Sequence, residues 1–273
     1  MMMKHYDFIV IGASALGISA AADAVASGLS VLVLERTVVC GREYGAALYA
    51  APIDPGADSV LLTAMREHSL VAQDGTVHII PTDGILAGIL KESGADVLLS
   101  CETVSIEDRD GIFAFTVFGE DGLLRFTAKR VLDTTAEGAI AAGVTGCYQK
   151  FLSATLAVSE NSLTYVGEMP EQRRLPSRLG GCFVDRGCFA GEYYLRFPLD
   201  PSDDYKTARR KLVAHWERVR AAFHPYEIAA FAPLFCYRFD APLRFAEKGI
   251  TYIPSASYGN IVAAFEGGHD AWK

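Results

Sequence analysis

The sequence has no Cys-x-x-Cys pair and no cysteine and histidine spacing suited to zinc: its six cysteines stand singly at 40, 101, 147, 182, 188 and 236. That excludes a zinc-ligand or dithiol-redox framework and any metal site built on one, and fits buried, reduced thiols in a cytoplasmic protein. No block of five like charges occurs, and 25 Lys and Arg stand against 33 Asp and Glu for a net charge of −8. The dense positive charge that neutralises nucleic-acid phosphates is therefore missing, and no nucleic-acid partner is expected. The start, Met1-Met2-Met3-Lys4-His5, has no apolar run ending at a cleavage site and leads straight into Tyr6–Ile11. The longest apolar stretch, Phe8 to Ala26, is interrupted by Gly12, Ser14, Gly17, Ser19 and Asp23. Its β-branched start and alanine-rich continuation suit a buried strand and helix better than a membrane span, so no membrane partner is expected. Internal repeats, low-complexity tracts and linkers are also missing.

What is present can bury a sizeable core. Of 273 residues, 51% are hydrophobic and 21% charged, which predicts one large or two interleaved globular domains. Residues 6–11 read as a buried parallel strand ending at glycine. Residues 14–27 read as a helix with alanines at 15, 20, 21, 22, 24 and 26 and a stop at Gly28, and residues 30–34 as a second strand ending on Glu35. A second helix is expected from Thr82 to Ser93, capped by Thr82 or Asp83 and stopped by Gly94, with a strand at Asp96–Ser100 after it. Apolar stretches near 101–106, 112–118 and 123–128, separated by Asp108-Arg109-Asp110-Gly111 and Glu120-Asp121-Gly122, predict an antiparallel meander. Arg130–Asp133 then reads as a return to the parallel sheet. Residues 150–240 change character: strands around 151–158 and 191–199, a loop rich in Pro, Arg and Gly at 170–187, and a charged helix near 203–222. They read as a cap inserted into the first domain, with a last strand at 250–254 and a last helix from Gly259 to about Asp270.

Gly12-Ala13-Ser14-Ala15-Leu16-Gly17 has the G-x-G-x-x-G spacing with serine in the middle position. It sits between the right strand and the right helix, with an acid at the end of the next strand. Gly12 makes the tight turn, position 14 lets the backbone approach a pyrophosphate, and Gly17 lets helix and strand pack closely. The helix N-terminus carries a positive partial charge of roughly half a unit, suited to that anion. Glu35 is placed to accept from ribose hydroxyls and disfavours a 2′-phosphate, hence NADP. Ser14 narrows the approach by its Cβ, while its hydroxyl can donate to a phosphate oxygen.

Three stretches carry a resemblance: Asp7–Gly17; Glu35-Arg36 followed by Cys40-Gly41-Arg42; and Val131 through Thr134-Thr135-Ala136-Glu137-Gly138. In them the chain resembles the FAD-dependent oxidoreductases of the glutathione-reductase structural superfamily, as a shortened member. The resemblance implies an α/β fold: a Rossmann-like FAD-binding domain, with a parallel central sheet and a β-meander, at 1–149 and 241–273, and a smaller α+β cap at 150–240. It places Gly41 and Arg42 near the ribityl-pyrophosphate and flavin ring, Thr103 and Val104 beside the adenine, and Thr135 and Ala136 on the return past the FAD. More loosely, Pro254 to Ile261, with Gly259, Asn260 and Ile261 at the helix start, resembles the segment facing the flavin pyrimidine. Ser14 and Ala136 replace glycines usual in the family, and arginine follows Gly41 where a second glycine is usual.

A flavin brings the redox chemistry, so the protein has to position substrate and tune the ring. Arg196, Arg238 and Arg42 are candidates to pair with a substrate carboxylate, against the ordinary reading of structural arginines. His78 and His224 are candidate acids, with a hydrogen-bonded structural histidine as the plainer reading. Cys40 is either a redox or flavin-anchoring thiol or simply a buried one. Tyr193, Tyr194 and Phe197 read as strand residues packed in the core. No second glycine fingerprint is present, so electrons have to come from substrate or from a separate donor or acceptor. Two classes of function follow: an FAD-dependent oxidase or dehydrogenase acting on a small organic molecule, anionic ones included, and a non-catalytic dinucleotide-binding scaffold or sensor of the same fold.

Overall fold

The computed structural model describes residues 4–136, 138, 148–158, 174–247 and 249–273. Strand β1 (Lys4–Ile11), helix α1 (Ala15–Ala26) and strand β2 (Val31–Leu34) form the first unit, with β1 and β2 parallel from Phe8 against Val31 to Ile11 against Leu34. Helices α2 (Val60–Glu67) and α3 (Thr82–Ser93) follow, then β3 (Asp96–Leu98) beside β2, and the meander β4 (Glu102–Arg109), β5 (Ile112–Gly119) and β6 (Gly122–Asp133). β1 alternates as a strand must: Phe8 and Val10 enter the core shared with α1, Ile9 and Ile11 the core shared with β5. Both faces are covered, which is why the run reads as continuously apolar.

The meander's third segment and the return strand, expected as two elements, are one. β6 pairs antiparallel with β5 through its first half and parallel with β1 from Phe126 to Asp133. No turn residue stands between Phe126 and Arg130, so nothing stops the strand. The sheet closes on β13 (Ile250–Tyr252), parallel to β6, with β12 (Phe245–Glu247) outside it.

A second, wholly antiparallel sheet has the order β11-β7-β10-β9-β8, built from β7 (Tyr148–Val158), β8 (Arg178–Leu179), β9 (Cys182–Arg186), β10 (Tyr193–Leu199) and β11 (Tyr226–Phe239). Helix α4 (Tyr205–Phe223) starts at Asp204, whose carboxylate accepts the Thr207 N–H at 2.7 Å. It buries Ala208, Leu212, Trp216 and Phe223, one stripe of an otherwise charged helix, against that sheet. Each of the three large side chains is worth about 1.5–3 kcal/mol on burial.

The described part of the expected 170–187 loop contains a hairpin, β8 and β9, turning on Gly180 and Gly181, both at positive φ. β11 went unread because Pro233 interrupts its pattern; it is the edge strand, where a missing N–H is tolerated, and its register shifts between Phe231 and Phe235. Thr82 and Asp83 lie inside α3 rather than capping it: Thr82 turns its hydroxyl back to the Ile79 carbonyl at 2.7 Å, and Pro81 stands at the cap without a side-chain bond. The last helix, α5 (Ile261–Glu266), is shorter than expected and ends at Gly267. Among the described residues no helix is long and apolar enough to cross a membrane.

Candidate functional site

β1, β2 and β6 end side by side, at Gly12, Glu35 and Thr134, and a cleft opens over those ends, where open α/β sheets bind ligands. One part, about 280 Å³, runs from Gly12, Ser14 and Glu35 past Arg36, Arg42, Glu43 and Thr134–Ala136 to a wall of Tyr205, Leu234, Phe235 and Tyr237. An adjoining bay of about 160 Å³ shares Gly12, Glu35, Arg36, Arg42 and Thr135 and adds Leu34, Cys101, Glu102 and Thr103.

Gly12 is at φ +97°, and a Cβ there would meet Thr134 Oγ1 at 2.8 Å; a Cβ on Gly17 would run into the Gly12 carbonyl. Both glycines are therefore required where the motif places them. Glu35 is 2% exposed. Its Oε2 accepts the Ala13 N–H at 3.0 Å, its Oε1 accepts the Thr37 N–H and hydroxyl at 2.8 Å each, and Arg42 Nε lies 3.6 Å away. Thr135 is fixed through its N–H and hydroxyl on Asp133 Oδ1, at 2.9 and 2.7 Å.

No family model matches the chain, and no curated protein matches it by sequence. Solved structures do match it. A p-nitrophenol 4-monooxygenase from Pseudomonas putida DLL-E4 aligns with TM-score 0.63 and 16% identity over 98% of this chain and 77% of its own. A geranylgeranyl bacteriochlorophyll reductase-like protein from Thermoplasma acidophilum gives 0.63 and 14% over 98% and 77%. A flavoprotein/dehydrogenase from Cytophaga hutchinsonii gives 0.62 and 15% over 97% and 76%. The chain shares the Rossmann-like α/β fold of these proteins, a parallel-strand sheet with a separate antiparallel sheet. At such identities the likeness speaks for the fold alone.

The cleft gathers Gly12, Ser14, Glu35, Arg36, Arg42, Thr135 and Ala136 from the expected set. Others lie elsewhere. Gly41, at φ +60°, donates its N–H to the Ala13 carbonyl at 2.7 Å and leaves room for Leu86 of α3, so its role is packing. Val104 is 58% exposed and outside the bay that Thr103 lines, because it is the extra residue of a bulge in β4. Gly259, Asn260 and Ile261 do not reach the cleft. The Tyr49 hydroxyl donates to the Gly259 carbonyl at 2.9 Å, Asn260 caps α5 on the Ala263 N–H at 2.8 Å, and Ile261 is buried. Ala13 and Leu16 are buried beneath the motif.

The Ser14 hydroxyl is not free to donate to a phosphate: it accepts the Gly17 N–H at 2.9 Å and gives its proton to Thr134 Oγ1 at 2.7 Å. Thr134 passes its own to the carbonyls of Ile11 and Gly12, at 3.0 and 3.1 Å. Arg196 is 4% exposed and bound in a fork to Asp185, Nε to Oδ2 at 2.6 Å and Nη2 to Oδ1 at 3.0 Å, so its charge is spoken for. It stands with Arg238 around the Tyr49 ring, 4.8 and 5.1 Å from its centroid. Both line a separate hollow of about 260 Å³, with Arg178, Phe151 and Phe183, rather than the cleft.

Cys40 is buried outside the cleft, and burial, reinforced by the Glu35 charge, pushes its thiol up to about 11, which removes the reactive-thiolate reading. Cys182 and Cys188 are unpaired, and Cys147 lies outside the described residues. His78 bonds to Glu192, which also takes the Tyr194 hydroxyl, away from the cleft; His224 ends α4.

The residue the sequence reading missed is Glu43. Its Oε1 accepts the Ala15 N–H at 2.9 Å and the Ser255 hydroxyl at 2.7 Å, while its Oε2 is buried without a hydrogen-bond partner among the described residues. Burial raises its carboxyl above the usual range, against the lowering effect of those donors and of Arg42. An acid directly after Gly41-Arg42 was a legible signal; its reach to α1, 28 positions back, was not.

Proposed function

We propose that the chain binds FAD along this cleft and acts as a flavin-dependent oxidoreductase on a small organic molecule. One observation carries the reading: a single cleft leads from a buried acid, Glu35, across the Gly12 turn to an aromatic wall on the cap, Tyr205, Phe235 and Tyr237. Glu35 would hold ribose hydroxyls on its remaining lone pairs, Gly12 would admit the pyrophosphate, and Arg36 and Arg42 would flank it. The fit is good at the ribose end; at the pyrophosphate, the Glu43 carboxylate stands on the α1 N–H group that a phosphate would use. FAD, when bound, supplies electron and hydride transfer. The cap wall offers a flat organic substrate an aromatic surface, while Arg238, which has no carboxylate partner among the described residues, lines the separate hollow and would meet an anionic group only there. A separate electron donor or acceptor completes the scheme.

A second reading, a non-catalytic dinucleotide-binding scaffold or sensor, is favoured by the same Glu43 contact. The test is the purified protein's spectrum and its melting temperature with added FAD. Bound ligand at a hundred times its Kd stabilises by about 2.7 kcal/mol, with a smaller shift expected for NAD. A colourless protein whose melting temperature ignores FAD overturns the cofactor reading. Bound flavin that no organic donor and no reduced nicotinamide can reduce supports the scaffold.

A further inference from the structure

The first turn of α1 has no backbone donor to spare. Ala15 gives its N–H to Glu43, Leu16 faces Ser255 Oγ at 3.4 Å, and Gly17 gives its N–H to Ser14 Oγ at 2.9 Å. A helix N-terminus at the end of a parallel strand attracts an anion, and here the anion is supplied by the chain itself. Glu43 is not a settled part of the fold, however. Its Oε1 accepts two hydrogen bonds, but Oε2 is buried with no hydrogen-bond partner among the described residues, on a side chain that lines the cleft together with Gly12 and Thr135. A buried carboxylate oxygen without a donor is costly while the group is ionised and much less so once it is protonated.

We propose that Glu43 is a built-in stand-in for the dinucleotide pyrophosphate, which displaces it from Ala15, and that FAD binding therefore takes up one proton at Glu43. The inference rests on the FAD reading. A pyrophosphate diester brings two negative charges against this carboxylate, which favours its protonated form in the complex more strongly than in the free protein. The groups that act on Glu43 are Arg42, Tyr44 and Cys40 on its own loop, with Ala15 of α1 and Ser255 of the 255–257 turn; Glu35, Arg36, Tyr205 and Tyr237 line the same cleft. Burial raises the thiol of Cys40 and, more strongly, the hydroxyl of Tyr44, so neither titrates near neutrality. Glu35 lines the same part of the cleft and Glu102 the adjoining bay, so the test has to separate Glu43 from these two carboxylates.

FAD is titrated into the wild type and Glu43→Gln by flavin fluorescence from pH 5.5 to 8.5, and proton uptake is measured calorimetrically in buffers of different ionisation enthalpy. For the wild type the Kd should rise with pH, by about tenfold per unit where the free protein is ionised and the complex protonated, with close to one proton taken up. Glu43→Gln should bind at least tenfold tighter at pH 8, without slope and without uptake. A flat wild-type profile, or no uptake, overturns the proposal while leaving FAD binding intact, and the wild-type measurement alone suffices if the variant does not fold. A slope that survives in Glu43→Gln assigns the proton to another group and also overturns it. Failure of both proteins to bind FAD at any pH removes the cofactor reading itself.

Discussion

The cap sheet and the floor of the cleft each bury a charged side chain, and they treat it differently. In the cap, Arg196 and Asp185 close on each other in a two-bond fork, with side chains 5% and 12% exposed. Three rings, Tyr49, Phe151 and Phe183, surround the guanidinium. On the floor, Glu43 has one oxygen doubly bonded and the other stranded. A pair that satisfies itself is architecture; a charge left half-satisfied beside a cleft is where an incoming ligand finds something to change. Glu35 lies between the two cases, bonded to three protein donors with acceptor capacity to spare and lining both parts of the cleft.

The difference breaks most visibly in the cap. Asp185→Ala strands a buried guanidinium and should cost about 3–5 kcal/mol in urea unfolding, the usual penalty for removing one partner of a buried pair. Replacing both, Asp185→Ala with Arg196→Met, should recover most of it, since a buried pair and an apolar pair of similar volume are close in stability. A single-mutant loss below about 1 kcal/mol would put Arg196 with the solvated pairs and return it to the candidates for substrate binding.

Glu35→Ala sharpens the comparison on the floor. It removes the acceptor of the Ala13 and Thr37 N–H groups and the group expected to hold ribose hydroxyls. FAD affinity should fall by about 1.5–3 kcal/mol, the range for hydrogen bonds to a charged group, with a drop in melting temperature from the stranded donors. Unchanged affinity in a folded variant would place the nucleotide elsewhere.

How far these sites could be read in the sequence follows the range of the interactions. The glycines at 12 and 17, the acid at 35 and the flanking apolar runs are one local unit whose pattern implies its geometry, and β1, α1 and β2 form within two residues of where that pattern puts them. α3 was legible for the same reason, although its cap was not, because Pro81 and Ile79 rather than a side-chain oxygen finish that end. The cap's edge strand was hidden by Pro233, and Val104 by a bulge that no local pattern announces. Glu43, Ser255 and Thr134 meet at α1 only because three distant segments converge there, which composition and spacing cannot show.

Ser14 gives the smallest expected effect and the finest division between architecture and ligand chemistry. Read from the sequence, its hydroxyl was a candidate donor to the pyrophosphate, and its loss would have loosened FAD. In the structure that proton goes to Thr134 Oγ1 and the oxygen caps Gly17, so the hydroxyl belongs to the fold. Ser14→Ala should therefore lower stability by about 0.5–2 kcal/mol, as lost N-caps do, and Ser14→Gly by only a few tenths. The FAD dissociation constant of Ser14→Ala, corrected for any unfolded fraction, should stay within about threefold of wild type, below the cost of losing a charged hydrogen bond. If alanine weakens FAD tenfold or more at unchanged stability, the hydroxyl turns to the ligand on binding and the Thr134 contact is only its resting place. If glycine instead binds tenfold tighter than serine, Cβ crowding is what limits the site, and Ser14 joins Glu43 among the features that hold the dinucleotide off.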